Sequence, residues 1–117
     1  MRSNLVKDKS FDFAVRIVNL SKYLTEQKRE YVLSKQILRS GTAIGALIRE
    51  SEQAESKADF IHKLAIALKE ANETDYWLDL LRKTEYLEDK HHQSLKNDLT
   101  ELIKLLTSII KSSKNNG

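Results

Sequence analysis

Phe60, Leu64, Ala67, Ala71, Thr74, Leu78 and Leu81 recur at alternating spacings of four and three residues. That period is the seam of a helix packed along other helices. Ile61 and Leu68 broaden the seam to the width a bundle core needs. Ser56 is placed to cap this helix, with Asp59 three residues on, close to a capping box. The pattern predicts a helix over 57–86, flanked on its seam by Glu70, Glu73 and Trp77. Trp77 is read as either core or the anchor of a contact between subunits.

A second run, Gln36–Glu50, carries Ile37, Gly41, Ile44 and Ile48 on one helical stripe, within a helix expected over 31–53. Gly41 and Gly45 lie four apart inside it, and each weakens an isolated helix by about 1 kcal/mol relative to Ala. Two readings stand: a close approach of helix backbones, or a break near Ser40 and Gly41. Ser40 and Thr42 are expected to bond back to the carbonyls of the preceding turn. Glu50 is expected either on a solvated flank or partly buried in a helix contact. The first helix is expected over 11–26, capped by Asp8 or Ser10. Phe11, Ala14, Val18 and Tyr23 or Leu24 would face inward, widened by Phe13, Val15, Ile17 and Leu20. A loop near 87–91 leads to a helix over 91–112 with Leu95, Leu99, Leu102, Leu105 or Leu106 and Ile109 inward, and a frayed polar tail. Four apolar faces with short connections predict a single all-α domain over 1–117, an up-and-down antiparallel four-helix bundle. No Pro and three Gly in 117 residues fit that class and not a strand-rich one.

Catalytic chemistry finds little footing. There is no Cys, hence no thiolate metal site and no thiol nucleophile. Di-iron bundles need Glu-x-x-His motifs in mid-helix. Here the pairs Glu88 with His91 and Asp89 with His92 fall in the expected loop, and Asp59 with His62 starts a helix. His91 and His92 are therefore read as exposed. Glu70 with Glu73 forms a possible carboxylate pair without a cleft. No nucleophile motif, phosphate loop or zinc spacing is present. The expectation is a non-enzyme with no catalytic residue, cofactor or metal. With no secretory signal and no long apolar span, it is expected to be cytoplasmic and off the membrane.

Net charge is +3. Residues 1–30 hold seven basic against four acidic side chains, while 56–88 hold five against seven. Arg16, Lys22, Lys28, Arg29, Lys35 and Arg39 are the candidate nucleic-acid contacts, if they converge on one face. For Lys22, Lys28 and Arg29 the competing reading is simple complementation of a helix C-terminus.

QILRSGTAIGALIRE at 36–50 and DFIHKLAIALKEANETDYWLDLL at 59–81 resemble a known family. It is the small bacterial proteins encoded in intervening sequences of the 23S, or large-subunit, ribosomal RNA gene, also described as ribosomal-protein-like. FDFAV at 11–15 looks similar too, so the resemblance spans roughly residues 10–110. It implies an up-and-down four-helix bundle, a ring-shaped homo-oligomer expected to be a pentamer, and a role near ribosomal RNA or another nucleic acid. A fold relative, the accessory protein of diversity-generating retroelements, is basic and works with a reverse transcriptase. The resemblance implies no catalytic residue. Arg39, Ser40, Glu50, Glu70, Glu73, Tyr76 and Trp77 match the family pattern and, with Gly41 and Gly45, are the candidates for assembly or binding. Ala43 and Leu47 depart from it, since many members have Ser and Asn there. The rival expectation is a protein-interaction scaffold that binds no nucleic acid.

Overall fold

The computed structural model describes residues 2–116, with side chains from residue 4 onward. Four helices follow one another: α1 (Arg2–Glu26), α2 (Val32–Ser51), α3 (Lys57–Lys83) and α4 (Asp89–Asn115). Among the described residues there is no strand. α1 packs on α2 and α4, α3 packs on α2 and α4, and the diagonal pairs do not meet. The connections are short, so the bundle is up-and-down and antiparallel, 48 Å long. The α1–α2 and α3–α4 turns share one end of it.

The seam of α3 is buried from Leu64 to Leu81, and α4 adds Leu95, Leu99, Leu102, Leu106 and Ile109. In α2 the buried stripe is Ile37, Gly41, Ile44 and Ile48, and the helix is unbroken. A Cβ on Gly41 would stand 2.8 Å from two carbons of Ile17, so α2 backbone rests directly on an α1 side chain. A Cβ on Gly45 would meet Ser10 at 3.4 Å, which is ordinary contact. The glycines therefore serve a close α1–α2 approach within the chain, and the alternative of a break does not occur.

α1 departs most from the sequence reading. It starts at Arg2, so Asp8 and Ser10 lie inside the helix and cap nothing; the Ser10 hydroxyl instead donates to the Lys7 carbonyl at 2.9 Å. The buried stripe is Val6, Ser10, Phe13, Ile17, Leu20 and Leu24. Phe11 (53% exposed), Val15 (45%), Val18 and Tyr23 face outward. The reason is phase. α1 carries apolar residues on two faces, and the four–three register through Ser10 wins because it is the one turned toward α2 and α4. α4 also runs further than expected, holding the polar tail in helix to Asn115.

Helix ends follow local chemistry. The Ser56 hydroxyl accepts from the Asp59 N–H at 3.0 Å, as the near-capping box requires, while the Asp59 carboxylate accepts from Glu55 N–H at 3.2 Å. The Glu30 carboxylate caps α2, accepting from Ser34 N–H at 2.8 Å and Val32 N–H at 3.3 Å. α3 ends in a Schellman turn, with Tyr86 N–H donating to the Leu81 carbonyl at 2.9 Å and Glu85 at φ 69°. Arg29 holds the matching left-handed position, φ 55°, in the α1–α2 turn. α3 thus stops at Lys83, three residues short of the expectation, and Leu87 folds back to close the core.

Candidate functional site

The residues of the two motif stretches meet each other. Arg39 of α2 donates to Glu70 at 3.1 Å and pairs with Glu73, both on α3. Glu73 also accepts the Trp77 indole N–H at 2.9 Å. That hydrogen bond first, and Arg39 second, hold the Glu73 carboxyl below the usual carboxylate range. Trp77 is half-buried against the core, and Tyr76 meets its ring edge-on at 5.0 Å. Beneath them the Ser40 and Thr74 hydroxyls lie 2.9 Å apart, fully buried. Ser40 therefore reaches across to α3, whereas Thr42 bonds back to the Leu38 carbonyl at 2.6 Å as expected. Glu50 is exposed and takes Lys63 at 3.0 Å. The motif is in large part an α2–α3 clamp, with Tyr76 (59% exposed) its most outward member.

The six candidate cations divide. Arg16 is held by Asp98 at 2.7 Å and by the Ser94 side chain at 3.0 Å, and Arg39 is held as above. Among the described residues, Lys22, Lys28, Arg29 and Lys35 are in no ion pair. All four are exposed and belong to the α1–α2 turn or the first turn on either side of it. The buried Ser21–Ser34 hydroxyl pair, 2.9 Å apart, fixes the two helices just beside Lys22 and Lys35. Tyr31 (58% exposed) and Tyr23 accompany the cations, and the Lys28 ammonium stands 5.9 Å from the Tyr23 ring centre.

A second polar group was hidden from the sequence. His92 is only 8% exposed, which corrects the reading of His91 and His92 as an exposed pair. α4 begins before these histidines, and His92 continues its buried stripe three residues ahead of Leu95. Its Nε2 lies 2.7 Å from Asp79, which also accepts from Lys96 at 3.0 Å. Burial works against the Asp79 charge, but the hydrogen bonds from His92 and Lys96 outweigh it and hold its carboxyl below the ordinary range. This arrangement joins α3 to α4. Among the described residues, no group of three His, Asp or Glu side chains is placed to hold a metal. No described helix is long and apolar enough to cross a membrane.

Where α1 and α4 meet near the turn end, a groove of about 270 Å³ opens between Leu20, Tyr23, Leu87 and Leu95. Asn19 and His91 add polar edges to it. Nothing in the sequence pattern marks this groove, because its lining joins residues 16–23 of α1 to residues 87–95, far apart in the chain.

No curated protein matches the chain. Five solved chains do. One is a protein with unknown function from the S23 ribosomal protein family of Bacteroides thetaiotaomicron, 66% identical, with a TM-score of 0.94 over 95% of this chain and 99% of its own. Residues 2–108 match the 23S rRNA-intervening sequence protein family. The fold, the paired motif stretches and this match agree, and the chain belongs to the 23S rRNA-intervening sequence protein family.

Proposed function

We propose that the protein is a non-enzymatic bundle of the cytoplasm that associates with itself and with RNA, ribosomal RNA foremost. The observation that carries the RNA reading is the division of cations. Lys22, Lys28, Arg29 and Lys35 stand at one turn without carboxylate partners, whereas Arg16 and Arg39 are paired on the surface with carboxylates of the neighbouring helix. Unpaired cations at one turn are what phosphate contact requires, and copies in a ring would multiply a patch that is weak alone. The family's description names 23S rRNA. Self-association, expected as a pentamer, is supported by Phe11, Val15 and Val18, an apolar stripe on the outer face of α1. The same stripe favours the second reading, a scaffold that binds another protein.

The test is binding of the purified protein to a labelled large-subunit ribosomal RNA fragment at two salt concentrations, with unrelated RNA and duplex DNA as competitors. The RNA reading expects tight binding that weakens with salt and prefers the ribosomal fragment. Absence of binding at low salt would shift the function to the protein scaffold.

A further inference from the structure

We infer that the groove between α1 and α4 receives a single unpaired base of an RNA strand, with Tyr23 as its stacking wall. This rests on the RNA reading above and adds to it the form of RNA that is recognised.

The groove has the chemistry of a base site. Leu20, Leu87 and Leu95 are buried and make an apolar floor, while Asn19, Tyr23 and His91 are exposed and make the edge. Its volume, about 270 Å³, falls just below the roughly 300–1,000 Å³ of drug-sized ligand sites, so it suits one ring system. An apolar slot with a few polar edges matches a nucleobase, whose faces are apolar and whose rim carries donors and acceptors. Asn19 makes no side-chain hydrogen bond among the described residues and offers both a donor and an acceptor to such a rim. Arg16 also borders the groove, but Asp98 and Ser94 already hold it.

Charge complementarity selects the occupant. Tyr23 is shared between this groove and a neighbouring depression that contains Lys28. A base stacked at Tyr23 would thus place its phosphate beside Lys28, in the turn that also carries the partnerless Arg29. On the opposite side the depression carries Glu85, Glu88 and Asp89 against Arg82 and Lys83, with Asp89 held by Arg82 at 3.1 Å. That side is net negative by one charge while the α1–α2 turn is net positive, so the strand runs over the α1–α2 turn and away from the α3–α4 turn. A duplex keeps its bases stacked and cannot fill the groove.

The experiment measures fluorescence anisotropy of the full chain with a labelled single-stranded oligoribonucleotide and with the matched RNA duplex at low salt. The variants are Tyr23→Leu, which removes the ring, and Asn19→Leu, which removes the amide and adds apolar bulk at the groove. Melting temperature and Trp77 fluorescence report the fold from the opposite, α2–α3 face. The inference expects preference for the single strand. It expects each variant to weaken that binding, Tyr23→Leu by roughly 5- to 160-fold, the range of one base stack, with duplex binding unchanged. If the duplex binds as well as the single strand, or if a folded variant binds the single strand like wild type, the groove is not a base site and the RNA reading survives. If neither RNA binds the wild type, the RNA reading itself fails and the groove inference falls with it. Should Tyr23→Leu unfold, Asn19→Leu alone decides.

Discussion

On the α2–α3 face, Arg39 is met by Glu70 and Glu73, and Glu73 in turn takes the Trp77 indole. At the α1–α2 turn, Lys22, Arg29 and Lys35 meet no carboxylate, and Lys28 meets only the ring of Tyr23. Both regions combine cations with aromatic rings. They differ in whether the neighbouring helix supplies the complement. On the α2–α3 face it does, because α2 and α3 run side by side with Ser40 and Thr74 sealed between them. At the turn the helices end, and Glu30, the nearest acid in sequence to Arg29, is engaged with the α2 N-terminus. The motif residues Arg39, Ser40, Glu70, Glu73 and Trp77 are thus engaged within the fold, while Lys22, Arg29 and Lys35 lie outside the motif stretches and meet no carboxylate.

The largest expected effect breaks the support beneath both regions. Gly41→Leu must displace Ile17, which already stands 2.8 Å from where a Cβ would be. Overpacking predicts a loss on the order of 1–3 kcal/mol, seen as a lower denaturant midpoint. Gly45→Ala is the control. Its Cβ meets Ser10 at an ordinary 3.4 Å, and the helix gains propensity, so its midpoint should stay within about 1 kcal/mol of wild type.

Next comes the clamp. Trp77→Ala removes a half-buried ring and leaves the Glu73 carboxylate to Arg39 alone. The expected loss is roughly 2 kcal/mol, below the roughly 3–5 kcal/mol of a fully buried Trp. An unchanged melting temperature together with unchanged oligomeric mass would remove Trp77 from both packing and assembly. Thr74→Val leaves the Ser40 hydroxyl buried without its cross-helix partner and should cost about 1 kcal/mol in the same assay.

A smaller effect is electrostatic. Glu73 is held below the usual carboxylate range by Trp77 and then Arg39. A carboxyl depressed in the folded state stabilises above its unfolded pKa, and that contribution is lost as pH falls through the folded one. Glu73→Gln should therefore be less stable than wild type at neutral pH. The gap should close as pH falls below the ordinary Glu value of about 4.3. Partial exposure keeps the gap small. A gap that widened in acid would contradict the assignment.

The smallest expected effect on stability lies at the turn. Replacing Lys22, Lys28, Arg29 and Lys35 by Gln removes no ion pair, so each change should stay within about 0.5 kcal/mol. RNA affinity is where this set should register. A large fall in melting temperature would mean that these cations support the fold after all.

The difference between the regions also explains what was legible in the sequence. The buried stripes of α3 and of most of α4 could be read, though not the helix ends, because Leu64 to Leu81 and Leu95 to Ile109 each keep a single apolar phase. α1 could not. Phe11, Val15 and Val18 compete with Phe13, Ile17 and Leu24, and only the neighbouring helices choose between the two phases. His92 was missed because its neighbour His91 and an expected loop disguised a continuing stripe. Its spacing of three before Leu95 was the available signal. Carboxylate partners of Arg16 and Arg39 sit 82, 31 and 34 residues away, beyond any local pattern.

The most direct measurement of the central claim is the salt dependence of RNA binding in two variants. One carries Gln at 22, 28, 29 and 35; the other is Arg39→Gln. Every phosphate that a variant no longer neutralises should lower the slope of log affinity against log salt by about 0.7 for single strands. The turn variant should show a strongly flattened slope and Arg39→Gln the wild-type slope. A flattened slope for Arg39→Gln with the turn variant unchanged would place RNA binding on the α2–α3 face and contradict that claim.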